Sequence, residues 1–205
     1  MVAPPSSIFV NQPNIGLCSY VVGKIENKAN NLILIGFMGT GKTTVGKRVA
    51  KSLKLSFVDT DALIVAQEGK SIQSIFEDNG EAAFRALETG ALQQACSGEH
   101  TIISTGGGIV TQETNLPLLA EGGHVIWLKS SAEVIYERVR RNQERPLIKT
   151  ENPLETIRQL LAAREELYAK CADLTITTDD LSLEETIYGV TETARFWKIN
   201  RPSGD

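Results

Sequence analysis

The chain has 205 residues, of which 41% are hydrophobic and 22% charged, proportions typical of one globular domain with a real core. A formal net charge of -4 and the lack of a basic stripe argue against a nucleic-acid-binding protein. No apolar run approaches the roughly 20 residues that a membrane-spanning helix needs.

The first 30 residues differ in composition from the rest of the chain. They are rich in Pro, Asn and Ser, and they lack the basic start and apolar stretch of a secretory signal. We therefore predict a flexible extension over residues 1–30, a single domain over 31–198 and a tail over 199–205.

The domain opens with an unbroken apolar run at residues 32–35, which predicts a strand buried on both faces, as in a parallel sheet. Gly36 ends this strand, and a helix is predicted over residues 43–53. The segment Gly36–Thr43 between them fits the pattern G-x-x-x-x-G-K-[ST] without a mismatch.

This pattern predicts a nucleotide phosphate site, because glycines let successive backbone N–H groups point at phosphate oxygens and the following helix aims its positive end there. Lys42 is expected to reach the β- and γ-phosphates of ATP, and Thr43 to offer its hydroxyl to Mg²⁺. The predicted nucleotide-binding residues of this loop are Gly39, Thr40, Gly41, Lys42, Thr43 and Thr44.

A second strand is predicted over residues 56–58, and Asp59 and Asp61 follow it. Taken alone, the two aspartates could form a surface turn or cap the helix predicted from Ala62. Their place at a strand end in the same sheet as a phosphate loop favours a functional role. Helices are then predicted over residues 62–68, 71–77 and 81–96.

The third strand, predicted over 101–104, runs into Gly106-Gly107-Gly108, and a glycine run at a strand end favours close approach of a ligand. The fourth and fifth strands are predicted over 125–128 and 174–176. Helices are predicted over 131–141, 153–171 and 182–197, the last with a capping box of Ser182 and Glu185. The polar residues 142–152 are predicted to form a loop.

Alternation of strands and helices predicts an α/β fold of three layers around a central five-stranded parallel sheet. Ligands are expected at the carboxyl ends of its strands. The three cysteines are odd in number and widely spaced, which favours reduced thiols over a disulfide framework or a zinc site. We therefore expect a cytoplasmic protein, or a plastid one if the source is a plant or alga.

The ordered set of motifs from the phosphate loop onward resembles the shikimate kinases. The matching segments are Asp59-Thr60-Asp61, Gly80-Glu81, Phe84-Arg85 with Glu88, Ser104-Thr105-Gly106-Gly107-Gly108, Arg145-Pro146-Leu147, and Arg164 with Leu167-Tyr168. The resemblance runs from about Leu32 to Tyr188. It implies a P-loop kinase with a lid at about 142–152 that transfers the γ-phosphate of ATP to the 3-hydroxyl of shikimate, in aromatic amino-acid biosynthesis.

The resemblance also implies roles for residues on the acceptor side of the site. Asp61 would bind the substrate hydroxyls and act as general base. Arg85 and Arg164 would clamp the substrate carboxylate, and Glu88 would orient Arg85. Gly106, Gly107 and Gly108 would bring the backbone close to the substrate ring.

On the nucleotide side, Arg145 of the lid would swing over the phosphates as a catalytic group together with Lys42. Arg138 would stack on the adenine. Asp59 would help Thr43 to hold Mg²⁺, because Ser104 lies where many P-loop proteins carry an aspartate.

Other interpretations of these residues remain open at this point. Arg85 could pair with Glu81 or Glu88 on a solvated helix face, and Arg138 could belong to a charged helix face. The acceptor could be another small polyol or acid such as gluconate, or a nucleoside monophosphate. A catalytically silent binding module is disfavoured, since such proteins usually lack the lysine, the aspartates or the lid arginine. We expect a monomer.

Overall fold

The computed structural model describes residues 28–140 and 151–199. The strands are β1 (Leu32–Ile35), β2 (Ser56–Asp59), β3 (Thr101–Ser104), β4 (His124–Lys129) and β5 (Leu174–Thr177). The helices are α1 (Lys42–Leu53), α2 (Thr60–Glu68), α3 (Ile72–Cys96), α4 (Asn115–Gly122), α5 (Ala132–Val139), α6 (Pro153–Cys171) and α7 (Leu183–Phe196).

The five strands form one parallel sheet in the order β2-β3-β1-β4-β5. The central strand β1 pairs on both sides, with Ile33 opposite Ile103 of β3 and Val125 of β4. All four residues of β1 are fully buried, which explains why this strand is an unbroken apolar run. The predicted fold class, an α/β fold around a five-stranded parallel sheet, is confirmed.

Helices cover both faces of the sheet, because side chains of each strand point alternately to either side. Leu34 and Leu128 pack on one face with Val49 of α1 and Val190 of α7. The other face is covered by α3, α4 and α6, through residues that include Leu92, Leu119 and Tyr168. Burying one such side chain contributes about 1.5–3 kcal/mol to stability.

Two elements between β3 and β4 were absent from the sequence prediction. They are a turn of 3₁₀-helix at Ile109–Thr111 and helix α4. Helix α4 is short, contains Pro117 and ends at a pair of glycines, so its apolar residues show no clear helical period. Helix α3 contains the two helices predicted over 71–77 and 81–96, and Gly80 interrupts it with a non-helical φ of 79°.

Side-chain caps start α2 and α7, and the cap of α2 settles a choice that the sequence left open. Asp59, not Asp61, caps α2, because its side chain accepts hydrogen bonds from the backbone N–H groups of Asp61 and Ala62. Helix α2 therefore begins at Thr60, and Asp61 lies in its first turn. The predicted capping box of Ser182 and Glu185 is present at the start of α7.

The edges of the described ranges bear on the predicted domain limits. Ala29 donates to Glu121 O at 2.9 Å, so the residues directly before position 31 are bonded to the domain. Ile199, predicted to begin the tail, is fully buried in the core. Residues 1–27, 141–150 and 200–205 lie outside the described ranges, and the second of these segments includes most of the predicted lid (142–152). In the described part of the chain, no helix is long and apolar enough to cross a membrane.

Candidate active site

The phosphate loop lies between β1 and α1, at the carboxyl end of the central strand. Helix α1 begins at Lys42, whose Nζ donates to the carbonyls of Gly36 and Phe37 at 2.8 Å each. Thr40 donates from Oγ1 to Phe37 O at 2.8 Å, so its hydroxyl stabilises the turn of the loop. The positive end of the α1 helix dipole lies at Lys42 and points into the space enclosed by the phosphate loop.

Thr43, Asp59 and Ser104 bring three side-chain oxygens together beside this loop. Thr43 Oγ1 donates to Asp59 Oδ2 at 2.7 Å and lies 3.3 Å from Ser104 Oγ. Oxygen donors with one carboxylate suit Mg²⁺, which usually keeps several waters and takes its remaining ligands from substrate phosphates. The described ranges contain no group of three or more His, Cys, Asp or Glu side chains that could hold a metal by themselves. The residues present therefore fit a Mg²⁺ ion that is bound together with a nucleotide.

A cavity of about 280 Å³ opens in front of the phosphate loop. Phosphate-loop residues line it together with residues from β2, α2, the glycine-containing segment after β3, and α5. The lining residues are Met38, Gly39, Gly41, Lys42, Thr43, Thr44, Asp59, Asp61, Thr105, Gly107, Arg138 and Val139. The predicted lysine and both predicted aspartates thus face one space.

Gly106 separates two carboxylates at this end of the sheet. A Cβ atom on Gly106 would lie 2.5 Å from Glu88 Oε1 and 2.6 Å from Asp61 Oδ1, so only glycine fits there without displacing them. Burial raises the pKa of Glu88, the ion pair with Arg85 opposes this rise, and the charge of Asp61 adds to it. Glu88 and Asp61 therefore influence each other electrostatically across Gly106.

Arg85 lies beside this pair of carboxylates. Its guanidinium forms an ion pair with Glu88 and a second one with Glu81 at 2.9 Å. Glu88 is only 1% exposed, so Arg85 is not on a fully solvated helix face, as one interpretation of the sequence would have it. The guanidinium packs so closely on the Cα of Gly108 that a side chain at Gly108 would collide with it.

Arg164 reaches the same glycine run from helix α6. Its Nη1 donates to Gly107 O at 3.2 Å, and its guanidinium lies over the ring of Phe37, 5.5 Å from the centroid. Arg85 and Arg164 thus contact neighbouring glycines, although they come from different helices. The fold brings together the two arginines that the sequence analysis assigned to one carboxylate.

Arg138 and Arg145 are the two remaining predicted nucleotide-binding residues. Arg138 lines the cavity, and its guanidinium donates to Ser130 Oγ at 3.2 Å and to Thr178 O at 3.1 Å. These hydrogen bonds fix the Arg138 side chain at the edge of the cavity, so it does not simply belong to a solvated, charged helix face. Arg145 lies outside the described residues.

Comparison with known proteins places the chain in a family. The family model described as shikimate kinase matches residues 38–195. The chain belongs to the shikimate kinase family. Among its relatives, the shikimate kinase of Geobacter sulfurreducens is 45% identical over 84% of this chain and 93% of its own length. That of Caldanaerobacter subterraneus is 44% identical over 76% of this chain and 90% of its own length.

Solved structures of shikimate kinases have the same fold. The Acinetobacter baumannii shikimate kinase, determined in complex with shikimate, has a TM-score of 0.78 and 35% sequence identity, covering 85% of this chain and 97% of that one. The Aquifex aeolicus shikimate kinase has a TM-score of 0.68 and 34% identity, covering 81% of this chain and 96% of that one. The prediction of a shikimate kinase, an ATP-dependent phosphotransferase, is confirmed.

Several residues of this shikimate kinase site received no role from the sequence. Thr60 is fully buried and its Oγ1 accepts from Gly106 N at 3.1 Å, which holds the glycine run against α2. Thr105 donates from Oγ1 to Leu34 O at 3.0 Å and so fixes the end of β3 to β1. Tyr168 donates to Gly107 O at 2.6 Å. Only the motifs in which they stand could have drawn attention to them, because their partners are distant in sequence.

Proposed function

We propose that this chain transfers the γ-phosphate of ATP to the 3-hydroxyl of shikimate. One observation carries the proposal: Lys42, Asp61 and Gly107 line a single cavity, and both arginines contact the glycine run at its wall. A phosphate donor and a carboxylate-bearing acceptor could therefore meet in front of Asp61. The shikimate that accompanies the Acinetobacter relative supports this choice of acceptor.

The phosphate loop supplies the nucleotide site in this proposal. Backbone N–H groups of Gly39 to Thr44 surround the phosphates, and Lys42 Nζ turns from its loop carbonyls toward the β- and γ-phosphate oxygens. Arg138 stacks on the adenine, and Arg145 covers the phosphates and neutralises charge on the transferring group. The cost of redirecting Lys42 is small, because it exchanges neutral acceptors for charged ones.

Thr43 and Asp59 are the proposed ligands of Mg²⁺, with Ser104 beside them and Asp59 acting directly or through water. When bound with ATP, the ion would neutralise charge on the β- and γ-phosphates. Asp59 is suited to this role because its Oδ1 is already fixed by the cap of α2, which leaves Oδ2 directed at Thr43. A fixed carboxylate loses little conformational entropy on binding.

The acceptor site is proposed at the glycine run. Arg85 and Arg164 bind the carboxylate through paired N–H groups, a geometry that a lysine cannot supply. Glu88 holds Arg85 in place from the buried side. Because Gly106 and Gly108 have no side chains, Asp61, Glu88 and Arg85 pack directly against the backbone that borders the proposed ring site.

Asp61 is the proposed general base. It lies in the first turn of α2 and lines the cavity with Lys42, so a hydroxyl between them could donate its proton to Asp61 as the oxygen bonds to the γ-phosphorus. The bond from that phosphorus to the bridging oxygen of the β-phosphate breaks in the same step, and ADP leaves. Closure of the lid over residues 142–152 would exclude water as a competing acceptor.

A coupled assay of ADP release over a panel of acceptors tests the proposal. The wild-type chain and Lys42→Ala would each be assayed with shikimate, gluconate and a nucleoside monophosphate. We expect the wild type to release ADP with shikimate only, and Lys42→Ala to release none with any acceptor. Faster turnover of gluconate or the nucleotide would change the acceptor. Nucleotide binding with no ADP release on any acceptor would indicate a silent binding module.

The proposed setting is cytoplasmic, or a plastid if the source is a plant or alga. We propose a monomer that works without a nucleic-acid or membrane partner, since both proposed substrates are small molecules. Analytical ultracentrifugation with and without ATP and shikimate tests whether the chain is a monomer. A molecular mass that rises with protein concentration would contradict this proposal.

A further inference from the structure

Tyr168 is a buried side chain that the proposed mechanism does not use. It lies on α6 four residues after Arg164 and has no solvent exposure. Its ring stacks on Trp127 of β4 at 5.4 Å between centroids and 22° between planes. The ring is thus fixed in the core, and only its hydroxyl reaches toward the site.

That hydroxyl meets the carbonyl of Gly107, which accepts from two side chains of the same helix. Tyr168 donates to it at 2.6 Å, and Arg164 Nη1 donates to it at 3.2 Å. Residues four apart on a helix share a face, so both donors arrive from one side. Burial raises the pKa of Tyr168 to about 12, and the hydroxyl therefore remains a donor at neutral pH.

Gly107 stands between the acceptor residues and the phosphate loop. A Cβ atom on Gly107 would lie 3.1 Å from Met38 N, so the backbone here packs directly against that loop. Rotation of the peptide after Gly107 would move its carbonyl away from Arg164 and change the direction of the guanidinium. The hydrogen bond from Arg164 opposes this rotation only weakly, because it is one bond at 3.2 Å and the contact of the guanidinium with the Phe37 ring does not involve the carbonyl.

We propose that Tyr168 is a positioning residue for the acceptor: its hydroxyl fixes the Gly107 carbonyl and, through it, the direction of the Arg164 guanidinium. The proposal rests on the proposed function, in which Arg164 grips the acceptor carboxylate. Tyr168 touches neither substrate. Its effect is therefore expected in acceptor binding rather than in the chemical step.

Tyr168→Phe removes the hydroxyl and keeps the ring on Trp127. We expect the KM for shikimate to rise about 5–10-fold, which corresponds to the loss of one hydrogen bond, while kcat and the KM for ATP change little. The matched control is Tyr188→Phe, since Tyr188 is 61% exposed on α7. It should leave both KM values and kcat unchanged.

An activity-independent measurement accompanies the kinetics. Backbone ¹⁵N order parameters of Gly107 and Gly108 should fall in Tyr168→Phe, while that of Gly90 on α3 stays constant. A proportional loss of kcat and of both affinities, together with a lower melting temperature, would show a merely structural role and overturn the proposal. So would an unchanged shikimate KM with unchanged order parameters.

Failure of the proposed function has a different signature. If the wild-type chain releases no ADP with shikimate, then shikimate is not the acceptor. The order parameters still decide whether Tyr168 fixes Gly107, and the KM comparison moves to the acceptor that the panel identifies. If no acceptor is turned over, unchanged order parameters alone overturn the proposal.

Discussion

The two ends of the parallel sheet carry similar polar residues and use them differently. At the amino end, Asn31 is fully buried, and its side chain donates to Gly98 O at 2.7 Å and Gly122 O at 3.0 Å and accepts from Thr101 N at 3.0 Å. Asp173 accepts from Val125 N at 2.8 Å and pairs with Lys28. These polar groups are used to hold elements of the fold together.

At the carboxyl end, Lys42, Asp59, Asp61 and Arg138 face an open cavity. The difference follows from direction, because every strand of a parallel sheet leads into the amino terminus of a helix at this end only. Helix α1 after β1 and helix α2 after β2 place their positive ends here. An anionic substrate is therefore attracted to one end of the sheet, and the other end is free to serve stability.

Asp61→Asn should have the largest effect on the carboxyl end. We expect kcat to fall about 10²–10⁴-fold with nucleotide affinity kept, because the amide cannot take the proton of the acceptor. The measurements are steady-state turnover and ADP titration. The control is Asp78→Asn, which changes an exposed carboxylate paired with Lys70. Wild-type turnover in Asp61→Asn would remove the general-base role.

Gly106→Ala tests whether activity depends on the close approach of Glu88 and Asp61 to the Gly106 backbone. The added methyl group would displace Asp61 and Glu88, and we expect kcat/KM to fall on the order of 10²-fold through misplacement of the base. Gly90→Ala is the matched control, since a Cβ there meets nothing within 4 Å and a helix interior favours alanine. Equal activity in the two variants would show that the close approach at Gly106 has no functional importance.

Arg85→Lys should weaken acceptor binding while ATP binding remains. The lysine keeps the charge and loses the paired N–H geometry, so we expect the KM for shikimate to rise roughly 10–100-fold. Arg158→Lys, in an exposed ion pair with Glu133, is the control and should change neither KM. An unchanged shikimate KM in Arg85→Lys would place the carboxylate elsewhere.

Asp173→Asn should affect stability and not catalysis. It breaks the pair with Lys28, whose side chain is only 5% exposed, and we expect a loss of about 1–3 kcal/mol in the free energy of unfolding. Urea unfolding and kcat would be measured beside the control Asp78→Asn, which should lose much less. A drop in kcat without loss of stability would contradict the idea that the amino end of the sheet serves stability and the carboxyl end serves catalysis.

The smallest expected effect is a pH dependence of stability at the amino end. Burial lowers the pKa of His124 below its usual 6.5, and the charge of Lys28 lowers it further against the opposing charge of Asp173. The unfolded chain therefore gains this proton first as pH falls below about 6.5, and the free energy of unfolding declines there. His124→Gln should flatten that part of the profile. Urea unfolding at pH 5.5 and 7.5 gives the comparison, and identical slopes in both proteins would contradict it.

Local patterns account for the parts of the site that the sequence predicted. The phosphate loop is a contiguous run of eight residues, so the spacing of its glycines and lysine is enough to identify it. The same holds for the capping box of Ser182 and Glu185, which spans one turn. Asp59 and Asp61 show the limit of such local patterns. Either aspartate could cap the helix that follows, and only the backbone geometry shows that Asp59 is the cap.

Pairing between distant segments could not be predicted from the residues by themselves. Glu88 with Arg85 resembles an exposed ion pair along a helix, and its burial depends on Gly106 and Asp61, which come from other elements. Helix α4 was missed because its short, proline-containing segment has no clear period. The resemblance to a family suggested roles for Arg85 and Arg164, which remain proposals, and it gave no information about their geometry.

The amino-acid sequence by itself determined the alternation of strands and helices, the phosphate loop and the family, because each depends on short-range spacing or on an ordered set of motifs. Only the tertiary structure decided which side chains share a cavity, which carboxylate caps a helix and which hydroxyl holds Gly107. Those choices depend on the strand order β2-β3-β1-β4-β5, which brings loops from distant parts of the chain to one edge of the sheet.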